Sequence, residues 1–265
     1  MPPRRSGHRR GVISRLLAAV TLAALAAPAA AHAAREARAY PERTARDLDR
    51  IAAHAYGGYG IIVADARTGA ELYARHADTP RTLASNTKLF ITAAAAHRWG
   101  ERIAATLSAI LGPSDNAGAE ALAARLGEGS RRRGVRRAQQ FAASLGARVR
   151  LRDGSGLATA NRATPRQVAR FLVAMRRVDG HRAWQRGFPV AGRSGTLAAR
   201  MRGTAASGRC RAKTGTLFLH TNASTLSGYC TTLSRHIIVF SILMATTPAN
   251  GRALQDRLLA RIVAD

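Results

Sequence analysis

Lysine is almost missing from this 265-residue chain: of 42 basic residues only two are lysine, Lys88 and Lys213. Arginine stays charged in proteins and cannot serve as a base, whereas burial or nearby cations can bring a lysine amine to neutrality. Keeping lysine at two positions only makes those positions the first candidates for chemistry. Aromatic residues are also few, 5% of the chain, so no stacking platform for bases is evident and a nucleic-acid partner is not expected. There are two cysteines, and neither a cysteine-pair zinc spacing nor an H-E-x-x-H segment occurs. The eight histidines are scattered and read as surface or satisfied core residues. No metal or cofactor is expected. Long apolar runs are lacking too: "LLAAVTLAALAAPAAA" spans 16 residues, mostly alanine, short of the roughly 20 a membrane-spanning helix needs.

What is present begins with charge. Acidic residues number 15 and the formal charge is +27. Residues 1–33 hold five arginines and no acid, and without them +22 remains. Such a charge favours anionic surroundings and leaves room for peripheral contact with an anionic envelope surface. The arginines are spread along the whole chain, however, and solvation alone accounts for most of them. Arg4, Arg5, Arg9, Arg10 and Arg15, the short apolar run and "AHA" at 31–33 read as an export signal cleaved near Ala34. The expectation is a signal peptide over 1–33, a catalytic domain over 34–265, and an exported, extracytoplasmic or periplasmic location. The paired Arg9 and Arg10 leave the export route open. In an oxidising compartment Cys210 and Cys230 can pair; two buried free thiols are the other reading.

The hydrophobic periodicity gives an element order. A helical pattern over about 41–55 precedes a hairpin, "GIIVAD" and "ELYARH" around the turn "RTG". Residues 85–98 read as a helix with Ser85 at its start. Residues 117–145 read as two helical pieces broken by "GEGSRRRG", a basic loop. Thr164 and Pro165 mark another helix start. Strands return over about 208–244, with Cys210 and Cys230 on either side of a hairpin loop, and an amphipathic helix ends the chain. This order predicts an α+β fold: an antiparallel sheet flanked by helices, with an all-helical subregion inserted over about 85–180.

The two lysines sit in motifs. Ser85 and Lys88 form S-x-x-K, which on a helix makes them surface neighbours. A serine hydroxyl is a poor nucleophile until a base takes its proton, and a buried lysine can do so. Lys213 opens K-T-G, Lys213-Thr214-Gly215, in a strand pattern where glycine permits close approach to a ligand. Between them "PSDN" holds Ser114 and Asn116, an S-x-N. Each motif alone is weak. Together, in this order, they account for every lysine and match the set found in penicillin-binding proteins and class A β-lactamases.

The surrounding text, "ASNTKLFITAAA", "ILGPSDNAGAEALAARLG", "LRDGSGLATANRATPRQVARFL", "FPVAGRSGTLAARMRGT" and "GRCRAKTGTL", resembles the D-Ala-D-Ala carboxypeptidase/endopeptidase family of class C low-molecular-mass penicillin-binding proteins, peptidase family S13. The likeness runs over about 58–264. The family usually carries a long insertion between S-x-x-K and S-x-N; here Ser85 and Ser114 are 29 residues apart. The resemblance implies a β-lactamase/transpeptidase-like fold, peptidoglycan stem peptides as substrate, and β-lactams as inhibitors. It implies Ser85 as nucleophile, Lys88 as base, and Ser114 as a proton relay to the leaving amine. Asn116 would orient Lys88 and hold the substrate amide, while Lys213, Thr214 and Thr216 receive the substrate carboxylate. The N–H groups of Ser85 and Thr216 would form the oxyanion hole. "DGSGL", with Asp153 to Gly156, matches a family loop and reads as structural or cleft-lining. A serine β-lactamase is the nearest rival, but its class A form needs a glutamate for deacylation, and Glu101, Glu120 and Glu128 offer no clear equivalent. A non-catalytic wall-binding relative is the second rival.

Overall fold

The computed structural model describes residues 40–218 and 222–265. The expected export signal lies outside the described residues. Helix α1 (Glu42–Ala52) leads into the hairpin of β1 (Tyr59–Asp65) and β2 (Glu71–Arg75). Asp65 makes that turn, its Oδ1 accepting the N–H groups of Arg67 at 3.0 Å and Thr68 at 2.6 Å. After the short strand β3 (Arg81–Thr82), a 3-10 turn at Ala84–Asn86 runs into α2 (Thr87–Trp99). The helical region continues with α3 (Ala104–Leu111), α4 (Asn116–Leu126) and α5 (Arg131–Ser144). Then come β4 (Arg162–Ala163), α6 (Pro165–Met175) and α7 (His181–Arg186). The chain returns through β5 (Cys210–Leu217), β6 (Ala223–Thr231) and β7 (Ile237–Ala245), and closes with α8 (Pro248–Val263).

The main sheet is antiparallel with order β2-β1-β7-β6-β5, so β5 lies at an edge. Both faces are covered. Side chains alternate along each strand, and on β1 and β7 the two sets go to different cores. Ile62, Ala64, Val239 and Leu243 pack towards the helical region with Phe90, Phe171 and Trp184. Ile61, Val63, Phe240 and Ile242 pack with Leu48 of α1 and with Leu254, Leu258 and Ile262 of α8. Burying each of these large side chains contributes about 1.5–3 kcal/mol, which is why β1 and β7 are apolar at consecutive positions instead of alternating. Among the described residues no helix is long and apolar enough to cross a membrane.

Several elements differ from the sequence expectation: β3 and β4 are short strands it does not include, and Ser85 lies on the 3-10 turn before α2 instead of starting that helix. The basic loop "GEGSRRRG" ends at Ser130: Arg131–Gly134 form the first turn of α5, with Ser130 accepting Arg133 N–H at 3.4 Å as N-cap. The arginines hid this start, because the apolar face of α5 is narrow, with only Gly134, Val135, Ala138 and Ala142 buried. Helix α3 occupies the stretch between the S-x-x-K and S-x-N motifs, where the periodicity predicts no element. Helix α7, six residues long, is too short for periodicity to reveal. The Thr164 cap is reciprocal: its Oγ1 accepts Gln167 N–H at 3.0 Å and its own N–H reaches Gln167 Oε1 at 2.8 Å.

Candidate active site

Ser85 sits on the 3-10 turn where β3 gives way to α2, and the sheet holds this turn from below. Central strands β6 and β7 carry buried hydroxyls where aliphatic residues would be the default. Thr225 Oγ1 donates to Leu83 O at 3.0 Å, Asn86 Nδ2 donates to Ser227 Oγ at 3.0 Å, and Ser227 donates in turn to Ser241 Oγ at 3.0 Å. These bonds anchor the residues on either side of Ser85 and satisfy polar groups that would be costly to bury alone. Ala84 adopts a positive φ of 47°, a conformation held only where the surroundings over-determine it. Two glycines let neighbouring segments close on it. A Cβ on Gly156 would lie 2.0 Å from Ala84 O. One on Gly215 would lie 2.2 Å from Thr225 Oγ1 and 2.9 Å from the backbone nitrogen of Ser85.

Lys88, in the first turn of α2, is fully buried. Its Nζ donates to Ser85 Oγ at 2.9 Å, Asn116 Oδ1 at 2.7 Å and Ser155 O at 2.5 Å. Those three acceptors fix the amine against the serine hydroxyl. Burial pushes the Lys88 pKa down to about 8, against the opposing pull of Asp153, Asp115 and Glu120. A lysine so poised has an appreciable neutral fraction near neutral pH, which suits a general base.

The S-x-N segment is set by the turn before α4. Ser114 has a φ of 67°, and Asp115 caps α4 by accepting Gly118 N–H at 3.0 Å. Asn116, the first residue of that helix, thereby faces Lys88. The short connection through α3 brings the S-x-N turn directly back to α2. Lys213, also fully buried, donates to Ser114 Oγ at 2.8 Å and to Thr214 O at 2.8 Å. Burial, then the adjacent Lys88, pushes the Lys213 pKa well down. Each lysine thus touches one serine hydroxyl, Lys88 that of Ser85 and Lys213 that of Ser114, and the two pairs meet across a single cleft.

The outer edge of β5 is closed at its start, where Ala191 N–H donates to Cys210 O and Ala212 N–H donates to Pro189 O. Farther along, Thr214, Gly215 and Thr216 line a cleft of about 510 Å³ with Ser85, Ser114 and Asn116. Cys210 and Cys230 face each other across β5 and β6 and are joined at 2.04 Å between sulfurs. The predicted site residues therefore all converge on this cleft, apart from the cysteines at the far end of β5.

The sequence reading missed several cleft residues. Thr196 Oγ1 accepts from Thr214 Oγ1 at 2.8 Å, and Arg200 and Arg252 line the same cleft. Arg200 is held by Asp256 Oδ1 at 2.6 Å and Gln255 Oε1 at 3.1 Å on α8. In a chain this rich in arginine, no sequence signal separates two site arginines from the rest. Ser155 matters through its carbonyl, which no side-chain motif announces. Its loop is built by Asp153, which accepts from Gly156 N–H at 2.8 Å, Ala158 N–H at 2.6 Å and Asn161 Nδ2 at 2.7 Å. Among the described residues, no group of three or more potential ligands is placed to hold a metal ion.

Comparison with known proteins agrees with this geometry. The model of the D-Ala-D-Ala carboxypeptidase 3 (S13) family matches residues 100–262. That match begins after Ser85 and Lys88, just before α3. A D-alanyl-D-alanine carboxypeptidase of Actinomadura sp. (strain R39) is 38% identical over 146 residues, covering 49% of this chain and 27% of that protein. This chain thus matches about a quarter of the curated relative's length. Among solved structures, a β-lactamase from Chitinophaga pinensis aligns with TM-score 0.69 at 14% identity, over 84% of this chain and all of that one. Penicillin binding protein 4 from Haemophilus influenzae aligns with TM-score 0.52 at 21% identity, over 60% of this chain and 41% of that one. These structures share the fold, a β-lactamase/transpeptidase-like antiparallel sheet with flanking helices. With the family match covering more than half of its length and ending beyond the K-T-G strand, the chain belongs to the D-Ala-D-Ala carboxypeptidase 3 (S13) family.

Proposed function

We propose that this protein is an exported serine D-alanyl-D-alanine carboxypeptidase/endopeptidase acting on peptidoglycan stem peptides through an acyl-enzyme. The carrying observation is the buried Lys88 amine, 2.9 Å from Ser85 Oγ and locked by Asn116 and the Ser155 carbonyl. In this reading neutral Lys88 takes the Ser85 proton as Oγ attacks the D-Ala carbonyl, and a tetrahedral oxyanion forms. Collapse breaks the C–N bond. The leaving amine takes its proton from Ser114, which is backed by the Lys213 amine 2.8 Å away and regains a proton from the Lys88 ammonium, so both groups are reset. Water then cleaves the ester and frees Ser85. Thr214, Thr216 and the cleft arginines supply donors for the substrate's terminal carboxylate. Export rests on the basic, short apolar and A-x-A pattern of residues 1–33 and agrees with the disulfide, which persists in oxidising compartments.

A β-lactamase is the second reading, favoured by the near-complete alignment of this short chain with solved β-lactamases. The glutamates weigh against it. Glu120 Oε1 accepts Gly154 and Ser155 N–H groups at 3.0 and 2.8 Å, Glu101 pairs with Arg186, and Glu128 pairs with Arg137 at 2.8 Å. None of the three lines the cleft with Ser85. Labelling with a fluorescent penicillin separates the readings: a persistent one-to-one adduct supports the peptidase, rapid hydrolysis supports the β-lactamase, and no adduct supports a non-catalytic relative.

A further inference from the structure

A second pocket, of about 590 Å³, opens on the other end of β5, and its lining is unusual in charge. Arg176 follows α6, Arg182 lies on α7, and Arg209 and Arg211 flank Cys210 at the start of β5. His181, Gln185 and Thr231 complete the polar wall, and no aspartate or glutamate lines it. Among the described residues no ion pair or hydrogen bond holds these four guanidinium groups, whereas Arg166 is paired with Asp78 and Arg200 with Asp256. Three separate segments thus bring like charges to one concavity, where each repels the others. The field is felt locally: burial first, then Arg176 and Arg182, pushes the His181 pKa down to about 4. His181 Nδ1 is buried without a partner.

We propose that this pocket binds a phosphate group, separate from the catalytic cleft and independent of the peptidase reading. Guanidinium forks pair with phosphate oxygens in a bidentate way, and a phosphate monoester or successive phosphodiesters balance four positive charges better than a single carboxylate does. The volume is that of an ordinary small-ligand site. Arg211 and Lys213 are two positions apart on β5 and share its helical-region face, opposite Cys210 and Ala212. The anion is therefore held beside the catalytic strand but outside the cleft, as a tether to a phosphate-bearing polymer would be.

The test is calorimetric titration of the full chain with sodium pyrophosphate and, separately, with poly(glycerol phosphate) oligomers, at fixed ionic strength. The expected result is saturable binding, weakened about tenfold or more in Arg182→Gln/Arg211→Gln, given the strength of charge-assisted bonds. The charge-matched Arg131→Gln/Arg132→Gln, on an exposed helix turn, should bind as the parent does. Arg209→Gln alone, with circular dichroism for folding, covers the case in which the double variant is unstable. Tight pyrophosphate binding assigns the site to free phosphate species, and binding of the oligomer alone assigns it to a polymer. Equal weakening in both double variants, weakening only in the cleft variant Arg252→Gln, or no saturable binding of either probe would overturn the proposal.

Discussion

If Lys88 is the base, acylation must follow its titration. Burial pushes that amine down to about 8, so the neutral fraction is about 1% at pH 6, about 9% at pH 7, about half at pH 8 and about 90% at pH 9. The second-order rate constant for acylation of Ser85 by a fluorescent penicillin should rise roughly tenfold from pH 6 to 7, about fivefold from 7 to 8, and then level off. Stopped-flow measurement at constant ionic strength reads this directly, with circular dichroism at each pH to confirm folding. Lys213 sharpens the expectation. The two buried amines disfavour each other's protonation, so the profile reports the pair and not one isolated group. A profile flat across this range would show that no group titrating near pH 8 accepts the proton, and the role given to Lys88 would fail.

Other consequences are as direct. Asp115→Asn keeps the α4 cap, since asparagine caps as well as aspartate, but removes one carboxylate that raises the Lys88 pKa; the acid limb of the pH profile should move to lower pH, and an upward move would contradict the electrostatics. Gly215→Ala places a Cβ 2.2 Å from Thr225 Oγ1 and 2.9 Å from Ser85 N. It should lower the acylation rate by about 10²-fold, the scale of a lost general acid–base or oxyanion contribution, and retained activity would show that β5 need not close on Ser85. Reducing the Cys210–Cys230 bond, which spans 20 residues, should remove about 3 kcal/mol of stability. An unchanged Tm after thiol counting confirms reduction would argue against this.

The sequence showed the motifs and the alternation of strands and helices because both are written in local patterns. Ser85, Lys88, Ser114, Asn116 and the K-T-G strand are each recognisable from a few neighbours. The sequence could not show the depth at which the lysines lie. Lys213→Arg conserves the charge. Yet Lys213 is fully buried with both its contacts inside the protein, so a larger planar guanidinium would overpack the site. Buried hydroxyls such as Thr225, Ser227 and Ser241 looked like ordinary strand residues, and their role under the Ser85 turn needs the sheet register to be seen. Arg200, Arg252 and the four arginines of the second pocket were hidden by the abundance of arginine itself, since only tertiary placement distinguishes a paired guanidinium from an unpaired one.

The central claim is that Ser85 becomes acylated because neutral Lys88 takes its proton. Intact-protein mass spectrometry after brief exposure to penicillin tests it in one experiment on the parent, Ser85→Ala and Lys88→Arg. The account predicts one penicilloyl group on the parent, mapped by peptide digestion to Ser85, and none on either folded variant, because guanidinium cannot give up its proton at working pH. An adduct that persists in Ser85→Ala, or one that forms in Lys88→Arg at the parent's rate, would contradict it.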